Sequence, residues 1–213
     1  LTRFLRNDAV TVEEMLTEAA SRTADRCAGR HIVAIQDTTV LRSKGGGGSY
    51  LHAVIALDAQ DDAIIGLIDG QFLERDNGRR ARRRRVGIEE KESFRWLEGA
   101  DQTASVCAGA ASVTMVADRE SDIFELFALR PEGIDLVVRA AHDRSLVEGG
   151  TLFAALDTIP AAGEAELELA AKPGRKRRTA KLEARFLPVS LARPDYGCRD
   201  NLPESVAVHL VDI

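Results

Sequence analysis

The sequence has few cysteines and no long apolar run. Cys27, Cys107 and Cys198 are far apart and form no Cys-x-x-Cys pair, which argues against a zinc site and against a disulfide framework. No segment is long and apolar enough to span a membrane, and no signal peptide opens the chain. We therefore expect a cytoplasmic protein with reduced thiols and no membrane partner.

Charge is unevenly distributed along the 213 residues, whose formal net charge is −5. The run "RRARRRR" at 79–85 and the run "KPGRKRR" at 172–178 are strongly basic within this mildly acidic chain. Each run is either a solvated loop or a segment that binds phosphate groups locally. The composition alone does not indicate a general nucleic-acid coat.

The first part of the chain alternates helical and strand patterns. Apolar spacing predicts an amphipathic helix over 9–28 and a buried strand over 31–37. Two further strands, separated by the polar turn "QDD", predict an antiparallel hairpin. A second helix is predicted over 87–109, with Trp96 packed in the core.

A strand–helix–strand unit follows, and the character of the sequence then changes. We predict a strand at 112–118, a helix over 119–130 and a strand at 134–140, in which the helices supply crossovers to parallel neighbours. From 141 onward, alternating apolar and charged residues predict an all-β region. The expected organisation is a leading helix (1–30), an α/β core (31–140) and a β subdomain (141–213).

Two aspartates follow strand-like runs 81 positions apart. Asp37 ends "HIVAIQD" and Asp118 ends "SVTMVAD". If strands one and four are neighbours, the two carboxylates offer the oxygen ligands that Mg²⁺ prefers, a common basis for phosphodiester chemistry. For Asp118, capping of the helix that follows is an alternative role.

Several stretches resemble one enzyme family. "AIQDTTVL" and "VADRESDIFEL" resemble the first and second acidic motifs of DDE transposases of bacterial insertion sequences. "DGQFLER", "EEKESFRWLEG" and "LVVRAAHDR" are similar to the same family and occur in the same order. The resemblance covers nearly the whole chain and is greatest to the group whose RNase H-like core carries a β-strand insertion before the third acid.

The resemblance implies an α/β fold with an RNase H-like mixed sheet flanked by helices and an inserted all-β subdomain. It implies a transposase that hydrolyses phosphodiesters and transfers strands at transposon ends, using Mg²⁺ or its substitute Mn²⁺. Asp37 and Asp118 would be its first two catalytic, metal-binding acids. The implied partners are duplex DNA ends of an insertion sequence and a second protomer, in a nucleoid-associated bacterial protein.

Arginines near these motifs are candidate DNA contacts. Arg139 lies at the end of the fifth predicted strand and Arg144 follows it, where the family faces DNA, and Arg119 follows the second acid. Arg119 is equally a candidate to pair with a carboxylate. The basic run adds Arg82, Arg83, Arg84 and Arg85 as candidate phosphate contacts. The alternative for each is an ordinary surface arginine.

The third acid of the family, a Glu on a helix after the insertion, has no counterpart here. The glutamates of the alternating region, Glu164, Glu166, Glu168 and Glu183, are predicted on its solvent face. Because the chain starts at Leu1 and "SVAVHLVDI" reads as an interrupted strand, we expect a fragment of a longer protein. The third acid would lie in the missing C-terminal part, so the fragment is expected to be catalytically inactive. The alternatives are an RNase H-like nuclease that is not a transposase, favoured by a nearby third acid, and an inactive DNA-binding protein.

Overall fold

A five-stranded mixed sheet organises the first part of the chain, in the order β3-β2-β1-β4-β5. Its strands are β1 (His31–Arg42), β2 (Gly48–Asp58), β3 (Ile64–Glu74), β4 (Ser112–Ala117) and β5 (Ile134–Val138). β2 is antiparallel to β1 and β3, whereas β4 is parallel to β1 and β5. The computed structural model describes residues 7, 10–42, 48–74, 92–195 and 202–213.

Helices flank this sheet, as the mixed α/β prediction requires. The helices are α1 (Val12–Cys27), α2 (Arg95–Val106), α3 (Phe124–Ala128) and α4 (Leu152–Leu156), with 3-10 turns at Glu92–Phe94 and Arg119–Ser121. The Thr11 side chain caps α1 by accepting a hydrogen bond from the Glu14 amide. Gly66 lets α1 approach β3 closely, because a Cβ there would lie 2.3 Å from Thr23 Oγ1.

The core lies on one face of the sheet, beneath α2. Alternate residues of β1 and β4 are buried there, and they are Ile32, Ala34, Gln36, Val113, Met115 and Ala117. Trp96 of α2 is fully buried on this face, which confirms its predicted packing role. Burying each large apolar side chain contributes roughly 1.5–3 kcal/mol, so this face fixes the position of α2 over the sheet.

β1 is longer than the predicted strand, which was expected to end at Asp37. It continues to Arg42 because its pairing with β2 runs on from Asp37↔Ala53 to Arg42↔Gly48. The β-branched Thr38, Thr39 and Val40 suit this extended conformation. Asp37 therefore lies within β1, although it lies just beyond the end of the pairing with β4.

The helix predicted over 119–130 is wrong in its first half. A 3-10 turn at Arg119–Ser121 is followed by an extended Ile123 (φ −118°, ψ 139°), and α3 begins only at Phe124. The Asp122 carboxylate accepts a 2.7 Å hydrogen bond from the Ala141 amide. Such side-chain bonds to backbone compete with helix formation. Asp122 therefore holds the chain after β5 and does not lie in a helix.

Two other boundaries differ from the predictions. The described part of the second predicted helix is a 3-10 turn followed by α2, which ends at Val106, and residues 87–91 lie outside the described part. β5 ends at Val138, two residues before the predicted strand end at 140. β1 and β4 are neighbours, which is the condition for Asp37 and Asp118 to lie close together.

The chain divides into two compact units, the first ending at Ala141 and the second beginning at His142. The second unit contains β6 (Gly163–Leu169), β7 (Arg178–Ala192) and β8 (Ser205–Asp212), paired antiparallel in the order β6-β7-β8. It also contains α4, so it is not purely β. The predicted solvent-facing glutamates, Glu164, Glu166, Glu168 and Glu183, are exposed.

Candidate functional site

Three neighbouring strands end their parallel pairing at the same level and present polar residues immediately beyond. The last residues in parallel pairing are Gln36 of β1, Ala117 of β4 and Val138 of β5, whereas β1 continues to pair with β2. The next residues are Asp37, Asp118 and Arg139, all exposed. The Arg139 amide donates a 3.2 Å hydrogen bond to the Ala117 carbonyl, which holds the chain after β5 against the end of β4. We call these three residues the polar row.

The position of the polar row follows from the chain path. From β1 the chain moves through β2 and β3 on one side and then crosses to β4 and β5 on the other. The carboxyl ends of parallel strands at such a switch of direction form a crevice in which α/β sheets bind ligands. Neighbouring strands lie about 4.8 Å apart, so Asp37 and Asp118 start from adjacent backbone positions.

Asp118 also has the capping role considered from the sequence. Its Oδ1 accepts a 2.9 Å hydrogen bond from the Glu120 amide, so it is the N-cap of the Arg119–Ser121 turn. Asp37 makes a similar local bond, with Oδ1 accepting 2.8 Å from the Thr38 amide. A carboxylate has two oxygens with about four acceptor sites. Capping and metal binding are therefore compatible at these positions.

A buried arginine lies beside the polar row. The Arg95 side chain, 9% exposed, donates through Nη2 to Glu120 Oε2 at 2.8 Å and through Nε to Thr38 Oγ1 at 3.2 Å. Nη1 donates to the Glu92 carbonyl at 2.5 Å, and the guanidinium lies 5.3 Å from the Trp96 ring centre. Arg95 thus contacts the residue after Asp37 and the turn that Asp118 caps.

A chain of polar side chains continues from Arg95 into the core. The Thr38 hydroxyl lies 2.9 Å from His52 Nδ1, and His52 Nε2 lies 2.9 Å from Gln36 Oε1. Gln36 Nε2 donates to the Trp96 carbonyl. Since that bond makes Gln36 Oε1 an acceptor, His52 carries its proton on Nε2, and Nδ1 accepts from Thr38.

His52 is neutral in this arrangement. Burial lowers its pKa to about 4, and the positive charge of Arg95 acts in the same direction. The His52 ring also meets the Trp96 ring edge-to-face, with centroids 4.6 Å apart. Because His52 is neutral near pH 7, its Nδ1 accepts the hydrogen bond from Thr38. The network therefore holds Thr38 in place beside Arg95.

The other predicted site residues are not all brought to the polar row. Arg119 is exposed in the turn directly after Asp118. Arg144 is half-buried in the second unit. The arginines of the basic run, Arg82, Arg83, Arg84 and Arg85, lie outside the described residues. Within the described ranges, no group of three or more His, Cys, Asp or Glu side chains could hold a metal ion.

Sequence reasoning missed Gln36, His52 and Arg95. The available signal was Gln36, a polar residue at a buried position of an otherwise apolar strand, since such a side chain needs hydrogen-bond partners. Those partners are 16 and 60 residues away along the chain. They become visible only once the strand register is known.

Comparison with known proteins adds no relationship to this geometry: no protein-family model matches the chain, and no curated protein matches it significantly. Across the described ranges, no helix combines the length and apolar character needed to cross a membrane. The fold and the polar row define a mixed α/β protein with two acids and an arginine at the carboxyl ends of neighbouring parallel strands.

Proposed function

We propose that this chain is the catalytic-core fragment of a DDE transposase, which carries out metal-dependent phosphodiester hydrolysis and strand transfer on DNA. The observation that carries this proposal is the polar row, in which Asp37, Asp118 and Arg139 follow the last residues of three adjacent strands that are in parallel pairing. The row joins the two motifs on which the family resemblance rests.

Asp37 and Asp118 are the proposed ligands of Mg²⁺ or Mn²⁺. Both are exposed and supply only oxygen donors, the ligand type that Mg²⁺ takes, and Mg²⁺ is commonly held by one or two carboxylates together with substrate phosphates. A metal bound there would activate a water or hydroxyl and stabilise the leaving oxygen of a phosphodiester. Asp118 Oδ1 also accepts from the Glu120 amide, which restrains its carboxylate.

Arg139 and Arg119 are the proposed phosphate contacts beside the acids. Both are exposed, and each follows the end of a parallel strand in the polar row region. An arginine guanidinium binds phosphate oxygens in a bidentate manner. Arg144 is proposed as a further contact, and the proposal extends to Arg82–Arg85 from their sequence alone.

The sheet supports the finer fold assignment within this proposal. Three antiparallel strands, followed by two parallel strands added on the far side of β1, agree with the RNase H-like core that the resemblance implies. The second unit, with β6, β7 and β8, occupies the part of the sequence expected for the β insertion. Because the described residues contain no third ligand, we expect weak metal binding and no turnover.

The test is paramagnetic broadening of amide NMR signals by Mn²⁺, which detects binding too weak for calorimetry. We expect selective broadening around Asp37, Asp118 and Arg139, reversal by excess Mg²⁺, and loss of both effects in Asp37→Asn and Asp118→Asn. Asp25→Asn, which changes an exposed acid on α1, is the matched control. Broadening that is unselective, or that survives both substitutions, would overturn the metal-dependent function.

A further inference from the structure

Arg95 connects the two chain segments that carry the acids. One contact is to Thr38, which follows Asp37 in β1, and the other is to Glu120, which lies in the turn capped by Asp118. The two segments are 81 positions apart in sequence. Through these two hydrogen bonds, Arg95 contacts both of the segments that carry the acids.

The chemistry of this position requires arginine. Arg95 satisfies three acceptors in three directions, namely a hydroxyl, a carboxylate and the Glu92 carbonyl. A planar guanidinium offers five N–H donors in a rigid fork, whereas a lysine ammonium is a point charge on a flexible stem. Because Arg95 is buried and each of its three nitrogens donates a hydrogen bond, it is suited to hold other groups rather than to bind substrate.

The partners of Arg95 are themselves restrained. Thr38 is fixed from the other side by His52, which is fixed in turn by Gln36. Glu120 is held at its backbone by Asp118 Oδ1 and at its side chain by Arg95. Displacing Arg95 would therefore remove the side-chain link between the Asp118 turn and Thr38, while the pairing of β1 with β4 and the local bonds of each segment remained.

We propose that Arg95 and Glu120 form a positioning pair that holds the segments of Asp37 and Asp118, beyond their strand pairing, in the arrangement that binds a divalent cation. This inference rests on the proposed function, since it concerns the same two ligands. Residues that orient metal ligands without touching the metal typically change metal affinity by 10–100-fold when they are replaced. Arg95 is therefore a positioning residue and not a catalytic one.

The experiment measures Mn²⁺ affinity by amide broadening, together with melting temperature, for Arg95→Gln, Arg95→Lys and Glu120→Gln. We expect Arg95→Gln to weaken binding by about tenfold or more. Arg95→Lys should fall between Arg95→Gln and the wild type, because it keeps the charge but not the fork. Glu120 is half-exposed, so we expect the second variant, Glu120→Gln, to fold normally. Arg22→Gln, which breaks the exposed Arg22–Glu18 pair, is the control.

The outcomes separate the inference from the proposed function. Weaker binding in the Arg95 and Glu120 variants at temperatures where they remain folded, with Arg22→Gln unchanged, supports the positioning pair. Wild-type affinity in folded Arg95→Gln or Glu120→Gln, with binding still lost in Asp37→Asn, overturns the pair and leaves the proposed function standing. Absence of selective binding in the wild type overturns the proposed function and, with it, this inference.

Discussion

His52 is a side chain whose chemistry is strongly altered by its position. It is fully buried between Thr38 and Gln36, and its two ring nitrogens are both used in hydrogen bonds. Protonation would place a charge in the core near the Arg95 guanidinium and would require the Thr38 hydroxyl to reverse its bond. The folded protein therefore resists protonation of this ring, whereas the unfolded chain does not.

The resulting prediction concerns stability against pH. The pKa of His52 is about 4 when folded and about 6.5 when unfolded, so the unfolded state binds more protons between these values. Stability is therefore lost as pH falls below about 6.5, and His52 alone should lower the free energy of unfolding by about 2 kcal/mol between pH 7 and pH 5. Urea unfolding at the two pH values measures this loss.

His52→Gln tests the assignment, because glutamine can still donate to Gln36 and accept from Thr38. It should reduce the pH dependence of the unfolding free energy, whatever its effect on stability at pH 7. His209→Gln, at an exposed site on β8, should keep the wild-type dependence. An unchanged dependence in His52→Gln would show that other groups cause the loss.

At the scale of elements, the packing of α2 against the sheet depends on one glycine, Gly99. A Cβ at Gly99 would lie 2.6 Å from Gln36 Oε1 and 3.2 Å from Val54 Cγ2. Gln36 cannot move aside without breaking its bonds to His52 and to the Trp96 carbonyl. The close approach of α2 to β1 and the polar network therefore require each other.

Gly99→Ala should destabilise the protein, although alanine is favoured over glycine in helices by about 1 kcal/mol. We expect overpacking to dominate and the free energy of unfolding to fall by about 1–3 kcal/mol, measured by urea unfolding. Gly109→Ala is the control, since its Cβ would come no closer than 3.8 Å to Ala28. A Gly99→Ala variant as stable as the wild type would contradict the tight contact.

The elements also show which features a sequence can predict. Strand positions follow from local apolar runs and alternation, so each of β1 to β8 overlaps a segment predicted as β. The length of β1 does not follow from a local pattern, because the residues after Asp37 are held by pairing with β2. The broken helix after Asp118 depends on a bond between Asp122 and Ala141, which no local pattern encodes. The two acids were found because each follows an apolar run, whereas Arg95 required the fold.

At the scale of the whole molecule, a net charge of −5 coexists with concentrated positive charge. The turn between β6 and β7 is closed by backbone bonds between Lys172 and Arg175, with Gly174 at φ +80°. Its cations are exposed, and of these Arg177 pairs with Glu168. A compact turn of this kind concentrates charge where a phosphate backbone could contact it.

If the protein binds duplex DNA as proposed, this turn should contribute to the salt dependence of binding. Replacing Arg175, Lys176 and Arg178 by alanine should reduce the slope of log K against log salt by about 2 to 3, because each neutralised phosphate contributes about 0.9. The control removes the same charge elsewhere through alanine at the exposed residues Arg22, Arg26 and Arg130. An equal change in the control would assign the effect to net charge rather than to the turn. A wild-type slope near zero would argue against phosphate binding by the molecule as a whole.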